Sequence, residues 1–149
     1  MFKRLITLFI NLFLLLSFAY AGENYTISGD VTFQYDGDIY VYLFTKEGFR
    51  DFTSKFELLP SPQCKFIRMN TDIKKAGKIS FRFYGIPKGT YCIVTFQDVN
   101  KNRKVDFLGK IHDEPYGSYK EQPSWYNYLQ WRLIKFDLEK DITGIKINM

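Results

Sequence analysis

The chain has 149 residues, with 21 basic and 16 acidic side chains, a net charge of +5, two cysteines and a single histidine. The basic excess is small and scattered, with no stripe of Lys and Arg, which argues against a nucleic-acid partner. Two cysteines outside any CxxC pair and one histidine leave no zinc set and no dithiol redox motif.

The first residues set the compartment. Lys3 and Arg4 open a mostly apolar, uncharged run from Leu5 to Phe18, and Ala19-Tyr20-Ala21 places small residues where a signal peptidase reads. Residues 1–21 are therefore expected to be a signal peptide, cleaved after Ala21, and the protein to be periplasmic or secreted. The apolar run falls short of the roughly 20 residues that span a bilayer, so no stable membrane span is expected after cleavage. Residues 22–149 then form one domain, long enough to bury its own core. Losing Lys3 and Arg4 leaves 19 basic against 16 acidic residues, a charge of +3.

Period-two alternation dominates the remainder. Tyr25, Ile27, Val31 and Phe33 share one parity around Gly29, and Ile39, Val41 and Leu43 alternate with Tyr40, Tyr42 and Phe44. Asp36-Gly37 between them predicts a hairpin. Residues 46–75 are less regular and predict one weak strand around Lys65 to Met69. Ile79, Phe81 and Phe83 alternate with Lys78, Ser80 and Arg82, and a turn at Gly85 to Gly89 leads into a strand from Tyr91 to Gln97. Leu108 to Tyr128 reads as a long excursion, and Trp131 to Leu138 and Ile142 to Met149 as the last strands. No long amphipathic helix and no internal repeat is expected. Six to eight short strands punctuated by Gly and Pro, with 19% aromatic residues, predict an all-β fold, an antiparallel β-sandwich.

Directly after the Tyr91 strand comes Asp98-Val99-Asn100-Lys101-Asn102-Arg103-Lys104-Val105-Asp106. Asp98, Asn100, Asn102 and Asp106 stand at the first, third, fifth and ninth places, the spacing by which a tight loop turns oxygens inward around a hard cation such as Ca²⁺. Lys104, at the seventh place, would offer its backbone carbonyl. The sixth place, where Gly usually supplies φ > 0, is Arg103, and the twelfth is Gly109 instead of a bidentate Glu. Asp113 and Glu114 are candidates for the missing carboxylate if the excursion folds back. The alternative is a plain solvated loop in which Asp and Asn cap their own backbone amides. A bound Ca²⁺ would be weak and structural, and no other cofactor is expected.

Cys64 and Cys92 are expected to pair in an exported protein, at a gain of about 3.5 kcal/mol from the loop they would close. The alternative is a buried thiol at Cys92 and an exposed one at Cys64.

Phe83-Tyr84-Gly85-Ile86-Pro87-Lys88-Gly89-Thr90-Tyr91 resembles the Leu-Pro-x-Gly-x-Tyr turn of transthyretin-like and carboxypeptidase-regulatory-like sandwiches, with Ile86 standing for the Leu. Together with Phe96 to Asn102, Asp106, Leu108-Gly109 and Glu114-Pro115-Tyr116-Gly117, it resembles the exported bacterial family called domain of unknown function 2141. That family's loop reads His-Asp-x-Asn-x-Asn-Gly-x-x-Asp; here Gln97 replaces the His and Arg103 the Gly. The resemblance covers about Gly77 to Trp125. It implies a small exported transthyretin-like or immunoglobulin-like sandwich, and no established activity.

Catalysis needs a nucleophile with a base, a carboxylate pair or a metal with an open position. His112, alone between Ile111 and Asp113, is read as a surface or cap residue. The expectation is a non-catalytic binding or structural module with an unknown protein, peptide or glycan partner in the cell envelope. Trp125 and Tyr126 open a second reading, a carbohydrate- or peptide-binding aromatic surface rimmed by Gln122, Asn127 and Gln130. Core packing of Tyr128, Leu129, Trp131 and Leu133 is the competing reading of that stretch. An enzyme of unknown type comes third.

Overall fold

The computed structural model describes residues 22–108, 111, 112, 114–121 and 129–149, with the backbone alone at 107, 108, 111 and 112. The expected signal peptide lies outside the described residues. In chain order the strands are β1 (Asn24–Thr32), β2 (Asp38–Phe44), β3 (Cys64–Ile67), β4 (Lys78–Pro87), β5 (Gly89–Asp98), β6 (Phe107–Leu108), β7 (Ile111–His112), β8 (Tyr116–Ser118), β9 (Phe136–Leu138) and β10 (Ile142–Asn148). Helix α1 (Lys46–Lys55) follows β2, α2 (Thr71–Ala76) precedes β4, and α3 (Trp131–Ile134) precedes β9.

Among the described residues the strands form two main sheets, ordered β10-β1-β4 and β3-β2-β5-β8, with β9 pairing the start of β5 and a small β6-β7 ribbon. The pairings are antiparallel except β1 with β10, which run parallel. The expected all-β sandwich is therefore observed. Its inter-sheet core follows the alternation read from the sequence. Ile27, Val31, Phe81, Phe83, Ile145 and Ile147 of one sheet meet Ile39, Val41, Leu43 and Ile93 of the other. Burying each such side chain contributes about 1.5–3 kcal/mol.

The opposite parity of β2 and β5 is apolar as well, and this face needs its own cover. Tyr40, Tyr42, Cys92, Val94 and Phe96 pack under α1, together with Phe49, Leu58, Val105 and Ile134. Helix α1 corrects the irregular reading of residues 46–75. Thr45 caps it, its Oγ1 accepting the Gly48 N–H at 3.2 Å. Phe49, Phe52 and Phe56 recur at helical spacing along it, and Phe52 lies 5.1–5.4 Å from the rings of Tyr42, Phe44 and Phe96. The expected weak strand is β3. Trp131 to Ile134 is a short helix, so the strand expected over Trp131 to Leu138 is confined to β9.

The Asp36-Gly37 hairpin is not formed. β1 and β2 belong to different sheets, so their connection crosses the sandwich instead of folding back. Asp36 binds Lys74 Nζ at 2.8 Å, Asp38 Oδ1 accepts the Met69 N–H at 2.9 Å, and a Cβ on Gly37 would come within 2.7 Å of the Asp98 carbonyl oxygen. Gly37 thus serves a close approach, not a two-residue turn. The turn after β4 also crosses between sheets and narrows to Lys88, since β4 continues to Pro87 through Gly85 at φ +66.

Cys64 and Cys92 are both buried free thiols, so the expected disulfide is absent. β2 lies between them: Cys64 pairs with Tyr42 on one side and Cys92 with Phe44 on the other. Two inter-strand steps separate the cysteines by about 9.6 Å before their stagger is added, well beyond the roughly 7 Å that a disulfide spans between Cα atoms. Burial pushes the Cys64 thiol up to about 11 and the Cys92 thiol further still, so both remain protonated and inert.

Candidate functional site

The ends of β1, β5 and β10 and the start of β2 meet at one rim of the sandwich. Asp38 pairs with Asp98 there, Thr32 pairs with Asn148, and the Met149 N–H donates to the Thr32 carbonyl at 3.0 Å. The loop that follows β5 is fastened to this rim.

Asp98 is fully buried at the loop's entrance. Its Oδ1 accepts the Asn102 N–H at 3.1 Å and its Oδ2 the Arg103 N–H at 2.9 Å. Asn100 Oδ1 accepts the Asn102 N–H at 3.0 Å, and Asn102 Oδ1 accepts the Lys104 N–H at 2.8 Å. Each oxygen-bearing side chain thus caps backbone amides two to five residues ahead, which curls the chain inward. The curl needs two left-handed residues, and Lys101 (φ 60) and Arg103 (φ 61) supply them. Arg103 therefore adopts the conformation for which Gly is usual at that place, at a cost of about 1–2 kcal/mol.

Asn100 and Asn102 turn their amide nitrogens onto Asp106 Oδ2, at 2.6 and 2.9 Å. Four of the expected site residues, Asp98, Asn100, Asn102 and Asp106, are thereby joined in one network. Lys104 joins it through its main-chain N–H. Its backbone bridges to Glu57, while Arg103 and Val105 exchange hydrogen bonds with Leu58 and Phe56 and tie the loop to the segment after α1.

Glu114, one of the two acidic residues considered for the missing carboxylate, folds back onto the loop, where it accepts main-chain N–H groups; Asp113 and Gly109 lie outside the described residues. Glu114 Oε1 accepts the Val99 N–H at 2.8 Å and Oε2 the Asp106 N–H at 3.4 Å. Burial raises its pKa above the ordinary 4.5, opposed by these two donors and reinforced by the charges of Asp98 and Asp106. No group of three or more His, Cys, Asp or Glu among the described residues stands where it could hold a metal ion. The donor set still has the chemistry of a hard-cation loop, because each Asn oxygen has a second lone pair beyond the one its N–H contact uses. Trp125 and Tyr126 lie outside the described residues, as do Gln122, Asn127 and Tyr128. The side chain of His112 is also outside them.

Beside the loop opens a cleft of about 560 Å³ that sequence reasoning did not find. Asn100, Asp106 and Glu114 line it together with Tyr35, Tyr116 and Met149. Tyr35 comes from the β1–β2 connection, Tyr116 from β8 and Met149 from the residue after β10, so only the folded topology assembles this lining. Gln97, wholly buried, is bonded to two of the lining residues: its Nε2 donates to the Tyr35 carbonyl at 2.7 Å and its main-chain N–H donates to the Pro115 carbonyl at 2.9 Å.

These features define a β-sandwich module, covered by a helix on one face and carrying an oxygen-rich, self-capped loop at its rim. Residues 31–146 match the model of the family described as "Uncharacterized protein conserved in bacteria (DUF2141)", and the chain belongs to that family. The match spans the sandwich from the end of β1 into β10, well beyond the Gly77 to Trp125 stretch that carries the resemblance in sequence. No curated protein and no solved structure matches the chain.

Proposed function

We propose that this is an exported, non-catalytic binding module whose Asp98–Asp106 loop is a structural clasp with weak affinity for Ca²⁺. The observation that carries the reading is the convergence of Asp98, Asn100, Asn102 and Asp106 in one network, with left-handed backbone at Lys101 and Arg103. That network holds the loop rigidly beside the cleft, and rims of sandwiches are where loops on a stable scaffold do their work. Calcium binding would exchange the two amide donors on Asp106 for a cation, so the affinity expected is on the order of 10⁻⁴ to 10⁻³ M, as in extracellular modules. The sequence supports export through its N-terminal basic and apolar run, and a periplasmic or secreted location follows from it. A non-catalytic role is supported by the chemistry of the loop, in which the carboxylates accept main-chain and amide N–H groups.

Thermal unfolding in EDTA and in millimolar Ca²⁺ tests the reading. A rise of several degrees that Asp98→Ala with Asp106→Ala abolishes supports the cation clasp. An unchanged midpoint makes the loop a hydrogen-bonded clasp without metal, and a rise that survives both substitutions places the ion elsewhere.

A further inference from the structure

The outer face of the β10-β1-β4 sheet carries a shallow trough of about 410 Å³, whose lining includes Ser28, Asp30, Ser80, Arg82 and Gly144. Strand alternation builds it. Ile27 and Val31 of β1 and Phe81 and Phe83 of β4 face the core, so the residues between them stand outward, with Ser28 beside Arg82 and Asp30 beside Ser80. A break in register widens it on the β10 side. Between the pairs Ile27–Ile142 and Gly29–Ile145, β10 holds one residue more than β1, a bulge that is uncommon in a parallel pair. Gly144 in that bulge has φ +72, and apart from its chain neighbours nothing stands within 4 Å of where its Cβ would be. The glycine therefore serves the backbone turn and leaves the space above it open.

Ser28, opposite the bulge, is only 8% exposed, and among the described residues its hydroxyl has no hydrogen-bond partner. What remains exposed of it lines the trough. A hydroxyl so enclosed normally finds a partner, so this one marks a site that a ligand's polar group completes. The groups around it keep free capacity of both kinds. Asp30 Oδ1 accepts the Ser80 hydroxyl at 2.6 Å, while Oδ2 has only Lys78 Nζ at 3.9 Å, beyond hydrogen-bond length. Arg82 donates from Nη1 to the Tyr84 hydroxyl at 3.3 Å and keeps its other N–H groups open. The same pair fixes the Tyr84 ring, 5.7 Å from the guanidinium and 68% exposed, at the Arg82 end of the trough.

We propose that this trough binds a neutral saccharide with equatorial, glucose-like hydroxyls, one sugar ring stacking on Tyr84. Asp30 accepts, Arg82 donates and Ser28 does either, which matches neighbouring sugar hydroxyls that each donate and accept. One acid beside one base favours no ion, since an anion meets Asp30 and a cation meets Arg82. Equatorial hydroxyls leave the C–H groups of the sugar on flat apolar faces, and an exposed aromatic ring covers such a face. The volume suits a small organic ligand. This site is separate from the Asp98 loop, which follows β5 in the other sheet, and it needs no calcium there. It also uses none of the residues of the Trp125 and Tyr126 aromatic surface.

The test is titration of the ¹⁵N-labelled protein in EDTA with cellobiose, and separately with the open-chain polyol sorbitol and with sulfate. Saturable shifts of the Ser28, Arg82 and Gly144 amide signals are expected with cellobiose, with sorbitol at least about tenfold weaker and sulfate without effect. Tyr84→Ala and Ser28→Ala should each weaken cellobiose binding about fivefold, the scale of one lost contact. The Ser28 hydroxyl is unpartnered in the free protein, so Ser28→Ala should leave the urea midpoint unchanged or raised, which separates a ligand contact from a structural one. Tyr35→Ala, at the rim cleft, should leave cellobiose binding unchanged. Tyr84→Ala carries the test should Ser28→Ala disturb the fold. Sorbitol binding as tightly as cellobiose, or sulfate shifting the same signals, overturns the saccharide class. Cellobiose affinity that survives both substitutions, or no shifts at all, overturns the trough as its site. None of these outcomes bears on the calcium clasp, whose readout is the thermal midpoint in Ca²⁺.

Discussion

The carboxylate of Glu114 holds the backbone of Val99, accepting its N–H at 2.8 Å with one oxygen while the other reaches the Asp106 N–H at 3.4 Å. One side chain from within the Leu108–Tyr128 excursion thereby fastens both ends of the Asp98–Asp106 loop. The loop's shape and the lining of the cleft depend on the same group.

Burial sets the pH behaviour of that group. It lifts the Glu114 pKa above its ordinary 4.5, so the folded protein binds this proton more tightly than the unfolded chain does. The associated stabilisation is complete below about pH 4.5 and is lost as pH rises through the folded pKa. The urea-unfolding free energy of the wild type, minus that of Glu114→Gln, should therefore fall as pH rises from 4 toward 7. A difference that is flat or grows with pH overturns the dominance of burial over the two N–H donors.

Asp98 caps the loop from a position with no solvent exposure. Asp98→Ala strands the Arg103 N–H and leaves the Asn102 N–H to Asn100 alone, at a cost of about 2–3 kcal/mol. Chemical denaturation measures this. A loss under about 1 kcal/mol shows that water replaces the carboxylate without penalty.

Arg103 occupies the left-handed region at φ 61. Arg103→Gly relieves that cost and partly offsets it by loosening the unfolded chain, for a net gain of about 0.5–1 kcal/mol. Arg103→Val, β-branched and ill suited to positive φ, should lose about 1–2 kcal/mol. The same order of stabilities reversed would rule out a left-handed residue there.

The intervening strand β2 keeps Cys64 and Cys92 apart. Unfolded in guanidinium without reductant, the protein should show two reactive thiols per chain, and in its native state both should react slowly. Dithiothreitol should leave the melting temperature unchanged. A drop in melting temperature on reduction is the contrary result.

Phe52 joins α1 to the outer face of the five-stranded sheet through Tyr42, Phe44 and Phe96. Phe52→Ala should cost about 3 kcal/mol by urea denaturation, as expected for a truncated aromatic in a packed layer. A cost close to zero would mean that the helix contributes little to the fold.

The sequence alone determined the strands whose side chains alternate, because period two is a local property that the backbone imposes on any half-buried strand. Ile39, Val41 and Leu43, and Ile79, Phe81 and Phe83, face the core as their spacing requires. It also determined the capped loop, since Asp98, Asn100 and Asn102 act on backbone amides within five residues. Helix α1 was legible in the Thr45 cap and the Phe49, Phe52, Phe56 spacing, but the surrounding polar residues obscured it. Which strands become neighbours was decided by tertiary structure. Asp36-Gly37 has the chemistry of a hairpin turn, yet β1 finds β4 and β10 while β2 finds β3 and β5, so the connection crosses between sheets. The same pairing placed β2 between the cysteines and brought Tyr35, Glu114 and Met149 to one rim. Such contacts join residues far apart in the chain, and their energy comes from burying two sheets against each other, which no local pattern encodes.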